Sequence, residues 1–96
     1  MNNEEIYKKE LLKIFTLAAT NKALLDEFLI DILTPNEYHE LTTRWQIIKE
    51  LNKGTTQREI SRKLGVSISK ITRGSRELAD DKGGFKKILK LLIQKR

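Results

Sequence analysis

The sequence predicts an all-α fold of six helices, and three observations carry that prediction. Apolar residues recur at helical spacing along most of the 96 residues. Alternating β-branched runs of the kind that mark strands are absent. N-cap residues, a proline and glycines punctuate the chain at short intervals.

The first helical face is Leu11, Leu12, Phe15 and Ala18, within residues 4–19. Thr20-Asn21 interrupts it. A second run, Leu24, Leu25, Phe28, Leu29 and Ile32, is so apolar for a short helix that burial on several sides is expected. Thr34-Pro35-Asn36-Glu37 then combines a Thr N-cap, a Pro at the first helical position and a Glu three residues on. The Thr hydroxyl can satisfy the Glu amide while the Glu carboxylate reaches back to the Thr amide. That helix continues through Tyr38, Leu41, Trp45, Ile48 and Leu51, and Gly54 is its left-handed stop. Thr56-Gln57-Arg58-Glu59 repeats the capping signal and opens a short helix carrying Ile60 and Leu64, closed by Gly65. Ser67 caps a further helix through Ile68, Ile71 and Leu78. Residues 80–84 break the pattern, and Phe85, Ile88, Leu89 and Leu92 mark a final Lys-rich helix.

A chain of 96 residues is expected to form one domain over 1–96, with a core thin enough that self-association would help it. Cysteine is absent, which removes disulfides, thiolate metal sites and a Cys nucleophile, and suits a reducing, cytoplasmic compartment. The opening Met1-Asn2-Asn3-Glu4-Glu5 lacks the basic start of a secretory signal. No apolar run approaches the roughly 20 residues of a membrane span. Formal net charge is +6, unevenly placed. Residues 1–48 carry five basic and eight acidic side chains, whereas 49–96 carry fourteen and five. A basic half on a small domain points to a polyanionic partner.

Residues 57–76 have the pattern of a helix-turn-helix: a helix of eight residues, a turn containing Gly65, and a second capped helix. Ile60, Leu64, Val66 and Ile71 are spaced to pack the two helices together, and Ser61 is small where they approach. Arg58, Arg62, Lys63, Lys70, Arg73 and Arg76 lie here, opposed only by Glu59. The second helix presents Ser67, Ile68, Ser69, Lys70, Thr72 and Arg73, mostly short polar side chains suited to base edges in a major groove. Gln57, Arg58 and Arg62 sit where the first helix would cross the phosphate backbone, and Gln57, Arg58 and Ser61 join the second-helix residues as candidate DNA-contacting positions. The pattern favours DNA binding over an ordinary helical hairpin with a solvated face. Gly74 stands inside the second helix, where glycine costs about 0.5–1 kcal/mol relative to alanine. Close helix packing explains it better, from pattern alone, than a ligand resting on the backbone.

Leu33-Thr34-Pro35-Asn36-Glu37, Thr43-Arg44, Gln57-Arg58-Glu59, Leu64-Gly65 and above all Ile71-Thr72-Arg73-Gly74-Ser75 resemble the bacterial tryptophan repressor (trp operon repressor) family. The match is strong over residues 30–80. The resemblance implies an intertwined six-helix homodimer that binds double-stranded operator DNA when L-tryptophan acts as corepressor. It also implies roles for single residues. Arg44 and Arg73 would hold the indole between their guanidinium planes. Arg73 and Thr34 would bind the carboxylate. The backbone carbonyls near Asp31 and Leu33 would accept from the ammonium group, and Gly74 would admit the indole, against the packing preference. Three features depart from the best-known members: a Gly54–Gln57 link one residue shorter, Lys70 where they often have threonine, and Glu77 where they can have serine. Glu77 could pair with an ammonium ion or face solvent.

His39 has no metal-spaced companions, and no Ser or Thr has triad partners, so neither a metal site nor an enzyme is expected. Trp45, in step with Leu41 and Ile48, reads as a core or dimer residue. The last helix reads as a packing helix with no role at a membrane. Rival readings are a helix-turn-helix regulator with a different ligand or none, a binder of structured RNA, and a dimeric interaction module.

Overall fold

The computed structural model describes residues 2–94 and contains six helices with no strand among those residues. They are α1 (Asn3–Ala18), α2 (Lys22–Ile32), α3 (Pro35–Asn52), α4 (Gln57–Leu64), α5 (Ile68–Ala79) and α6 (Gly84–Gln94). The chain divides into two compact units, Met1–His39 and Glu40–Arg96. No helix among the described residues is long and apolar enough to cross a membrane.

In the first unit, Asn2 caps α1 by accepting from the Glu5 amide at 2.9 Å. Glu4 and Glu5 complement the positive end of the helix dipole. Asn21 caps α2 through the amides of Ala23 (2.9 Å) and Leu24 (3.2 Å), so the expected interruption is an N-cap. Phe15 and Phe28 join the two helices edge to face, with ring centroids 5.2 Å apart. The single chain does not supply the burial expected of α2. No residue of α2 is buried, and Leu24, Ile30 and Ile32 are exposed. Its apolar faces exceed what packing against α1 covers.

The Thr34 capping box forms on both sides: the Glu37 amide donates to Thr34 Oγ1 at 3.1 Å, and the Thr34 amide donates to Glu37 Oε1 at 2.8 Å. Tyr38 donates its hydroxyl to Asp26 Oδ1 at 2.8 Å, tying α3 to α2 and raising the tyrosine's pKa.

The second unit is built around the helix-turn-helix. α3 ends at Gly54, φ +88°, with the Thr55 amide donating to the Glu50 carbonyl (3.1 Å) and the Gly54 amide to Leu51 (3.0 Å). This pair of bonds closes the helix on its own last carbonyls. Thr56 caps α4 by accepting from the Glu59 amide at 3.2 Å. The Glu59 carboxylate pairs with Arg62 at 2.8 Å, so the second capping box forms on its Thr side alone. Gly65, φ +65°, ends α4 in the left-handed region, and Ser67 caps α5 through the Lys70 amide at 3.3 Å. Ile47 of α3, Ile60 of α4 and Ile71 of α5 meet in one buried cluster, with Leu51, Leu64 and Val66 packed against it. Trp45 lies half-buried against Phe85 of α6, with centroids 6.4 Å apart. The break before α6 is an Asp80 turn, in which Asp80 Oδ1 accepts from the Lys82 amide at 3.0 Å and Gly84 already belongs to the helix.

Candidate functional site

α5 distributes its residues over three faces, because 3.6 residues make one turn. Ile71, buried, faces α3 and α4, with Ser75 and Leu78 half-buried alongside it. Lys70, Arg73, Gly74 and Glu77, at i, i+3, i+4 and i+7, face a cavity of about 170 Å³. Arg44, Ile47 and Ile48 of α3 and Phe85 of α6 complete its lining. The third face carries Ile68, Ser69, Thr72 and Arg76, all exposed.

The cavity unites five of the seven expected ligand residues: Arg44, Lys70, Arg73, Gly74 and Glu77. Its floor is apolar, and three cations and one carboxylate stand around it. A space on the order of 150 Å³ admits a benzene ring, so the cavity is of the right scale for a small aromatic group. Leu33 and Thr34, the other two, belong to the first unit at the α2–α3 junction. There the Thr34 hydroxyl and amide are both engaged by Glu37. Gly74 is needed by the packing as well. A Cβ added there would meet Ile47 Cγ2 at 3.2 Å and Ile48 Cδ1 at 3.4 Å. The packing explanation and the cavity explanation hold together, since the same two isoleucines form the floor. Phe85, Ile47 and Ile48 had no place in the expected set. They signalled only as apolar positions of helices, which is how core residues signal too.

Glu40 was also missed. Its Oε1 lies 2.7 Å from Lys70 Nζ and its Oε2 3.9 Å from Arg44 Nε, so it spans α3 and α5 beside the cavity.

The expected DNA-contacting residues divide in the structure. Arg58, Ser67, Ile68, Ser69, Lys70, Thr72 and Arg73 are exposed. Ser61 is half-buried and donates its hydroxyl to the Val66 carbonyl at 2.6 Å, bracing the turn. Thr72 donates to the Ile68 carbonyl at 2.9 Å and approaches Gln57 Oε1 at 3.4 Å, which sets the half-buried Gln57 against α5. Arg76 shares the exposed outward face with Ser69 and Thr72. It stands one turn beyond Thr72 on α5, a placement that helical spacing alone makes legible.

Below this face, the buried Glu50 holds the α3–α4 junction. It accepts from Thr55 Oγ1 at 3.0 Å and pairs with Lys63 at 3.3 Å and Lys53 at 3.4 Å. The hydrogen bonds from Thr55 and Lys63, with the charges of Lys53 and Lys63, hold its carboxyl below the ordinary value near 4.5. Glu50 thereby secures the short link between Gly54 and Gln57. Among the described residues no group of His, Asp and Glu side chains is arranged to hold a metal ion.

A family profile described as Trp repressor protein matches residues 9–93. The chain belongs to this family. A Trp operon repressor homolog of Vibrio campbellii is 39% identical over 98% of this chain and 96% of its own length. The homolog of Vibrio parahaemolyticus is 48% identical over 66% of this chain and 62% of its own length. That of Chlamydia trachomatis is 38% identical over 92% and 94%. Family membership covers both units of the fold.

Proposed function

We propose that the chain is a sequence-specific, DNA-binding transcriptional repressor that acts as a homodimer and takes L-tryptophan as corepressor. The observation that carries this reading is the cavity in which Arg44 of α3 and Arg73 of the helix-turn-helix flank an apolar floor. A guanidinium plane stacks on an aromatic face, an interaction worth about 0.5–2 kcal/mol. Arg73, with Lys70, suits the carboxylate through charge-assisted hydrogen bonds. Glu77 suits the ammonium group. Gly74 leaves room for the ring. A ligand gripped by both arginines holds α5 against α3, and so fixes the helix that enters DNA; it favours the binding-competent arrangement by its preference for that arrangement.

In this reading α5 lies in the major groove and α4 crosses the backbone. Ser67, Ile68, Ser69, Lys70, Thr72, Arg73 and Arg76 face bases and nearby phosphates, with Gln57 and Arg58 on the backbone. Ser61 serves the turn. A single head reads few base pairs, and two heads related by a two-fold axis reach successive grooves about 34 Å apart. The helix-turn-helix of 57–76 is thus one part of a single domain over 1–96. The first unit ends at His39, near the roughly 40-residue size below which chains need a partner to fold. Such a repressor works in the cytoplasm, where bacterial DNA lies. Lys70 and Glu77 favour a second reading, in which another zwitterionic ligand takes the place of tryptophan.

Fluorescence anisotropy with a palindromic duplex selected from random sequence tests the proposal. L-tryptophan is expected to tighten duplex binding. Affinity unchanged by tryptophan would overturn the corepressor role, and parallel titrations with other amino acids separate the second reading. Preference for structured RNA over the duplex would overturn the operator role.

A further inference from the structure

We infer that Glu40 is a specificity-determining residue of the cavity: an internal anion that holds Arg44 and Lys70 until a ligand carboxylate takes its place. This rests on the cavity being the ligand site. Glu40 uses one carboxylate oxygen for each cation, Lys70 at 2.7 Å and Arg44 at 3.9 Å. Lys70 and Arg44 both line the cavity, one from α5 and one from α3. With Arg73 they place three positive side chains around one small space, and Glu40 relieves their mutual repulsion. The Glu40–Arg44 spacing, acid four residues before base on one helix, is the favoured order for such a pair.

A ligand carboxylate drawn to these cations meets the like charge of Glu40. The side chain of Glu40 is 35% exposed, so it can turn to water and leave both cations to the ligand. A neutral ligand brings no replacement anion and leaves the Glu40 pairs in place. Glu40 therefore lowers affinity for carboxylate ligands, leaves neutral aromatic ligands unaffected, and couples the exchange to the position of α5. It also gives Lys70 of α5 its partner on α3.

Calorimetric titration of the full chain and of Glu40→Gln with L-tryptophan and with indole, at low salt, tests this. The amide keeps the shape and removes the charge. Glu40→Gln is expected to bind L-tryptophan about 2- to 5-fold more tightly, the range of an exposed ion pair, with indole affinity unchanged. In a Lys70→Met background the same substitution is expected to give a smaller gain, because one of the two cations is gone. L-tryptophan affinity that is equal or weaker in Glu40→Gln overturns the inference and leaves the ligand site standing. So does an equal change for indole, since a merely structural role would move both ligands together. Binding of neither ligand by the unsubstituted chain overturns the ligand site, and the inference with it.

Discussion

Gly74 meets two demands with one missing atom. Its absent Cβ lets α5 close on Ile47 and Ile48, and leaves the wall of a cavity of about 170 Å³ open. An arginine there would fill the cavity and add a fourth cation. Gly74→Arg is expected to lose L-tryptophan binding in calorimetry while the far-ultraviolet dichroism stays helical, and Arg73→Leu to do the same by removing one stacking plane. Binding retained in both variants would remove the pocket assignment. Glu50 makes a different kind of prediction, in pH. Its carboxyl is depressed in the folded chain by Thr55, Lys63 and Lys53. The stability this confers is complete above the ordinary value near 4.5 and is lost as pH falls from there through the folded value. Thermal melts from about pH 6 down to about pH 3 are expected to fall more steeply for the native chain than for Glu50→Gln. Parallel curves would show that Glu50 does not hold the junction.

The turn between α4 and α5 makes its prediction at the scale of the element. Gly65 has φ +65° and nothing within 4 Å of where a Cβ would stand. The whole effect of Gly65→Ala is therefore backbone strain, expected to cost about 1–2 kcal/mol in urea denaturation. A neutral result would mean that the turn relaxes to another conformation. Most elements were legible because their signals are local: Thr34, Thr56 and Ser67 cap helices, and Gly54 and Gly65 end them, within a few residues of the boundaries they set. What was illegible depends on which partner a side chain meets, near or far. Glu59 looked like half of a capping box, but Arg62, one turn away, takes its carboxylate. Glu40 meets Lys70 across 30 positions and Glu50 meets Lys63 across 13, and no periodicity announces either pair. The site was half legible for the same reason. Lys70, Arg73, Gly74 and Glu77 lie on one face of one helix, whereas Phe85 joins them from another.

For the whole molecule, the amount of apolar surface left uncovered decides the matter. Among the described residues only Ala18, Ile47, Ile48, Ile60 and Ile71 are buried hydrophobics, a thin core for 96 residues. Leu17, Ile30 and Ile32 in the first unit and Leu91, Leu92 and Ile93 on α6 are exposed. Scattered apolar residues are ordinary on a surface, but a helix as apolar as α2 with nothing buried is not. Helices α1 and α2, to which no other task is assigned, are the natural place for a second copy to pack. Sedimentation equilibrium is expected to give twice the 11.2 kDa chain mass, and the melting temperature is expected to rise with protein concentration. Ile30, 57% exposed in the single chain, separates the possibilities. On a monomer, Ile30→Glu would change stability by no more than about 0.5 kcal/mol. In a dimer that buries this helix it places an unpaired charge in the interface, so dissociation, a lower melting temperature and loss of its concentration dependence are expected together. An Ile30→Glu variant indistinguishable from a dimeric native chain would take α2 out of the interface, and a native chain sedimenting at 11.2 kDa would sink the homodimer and with it the pairing of two reading heads on one operator.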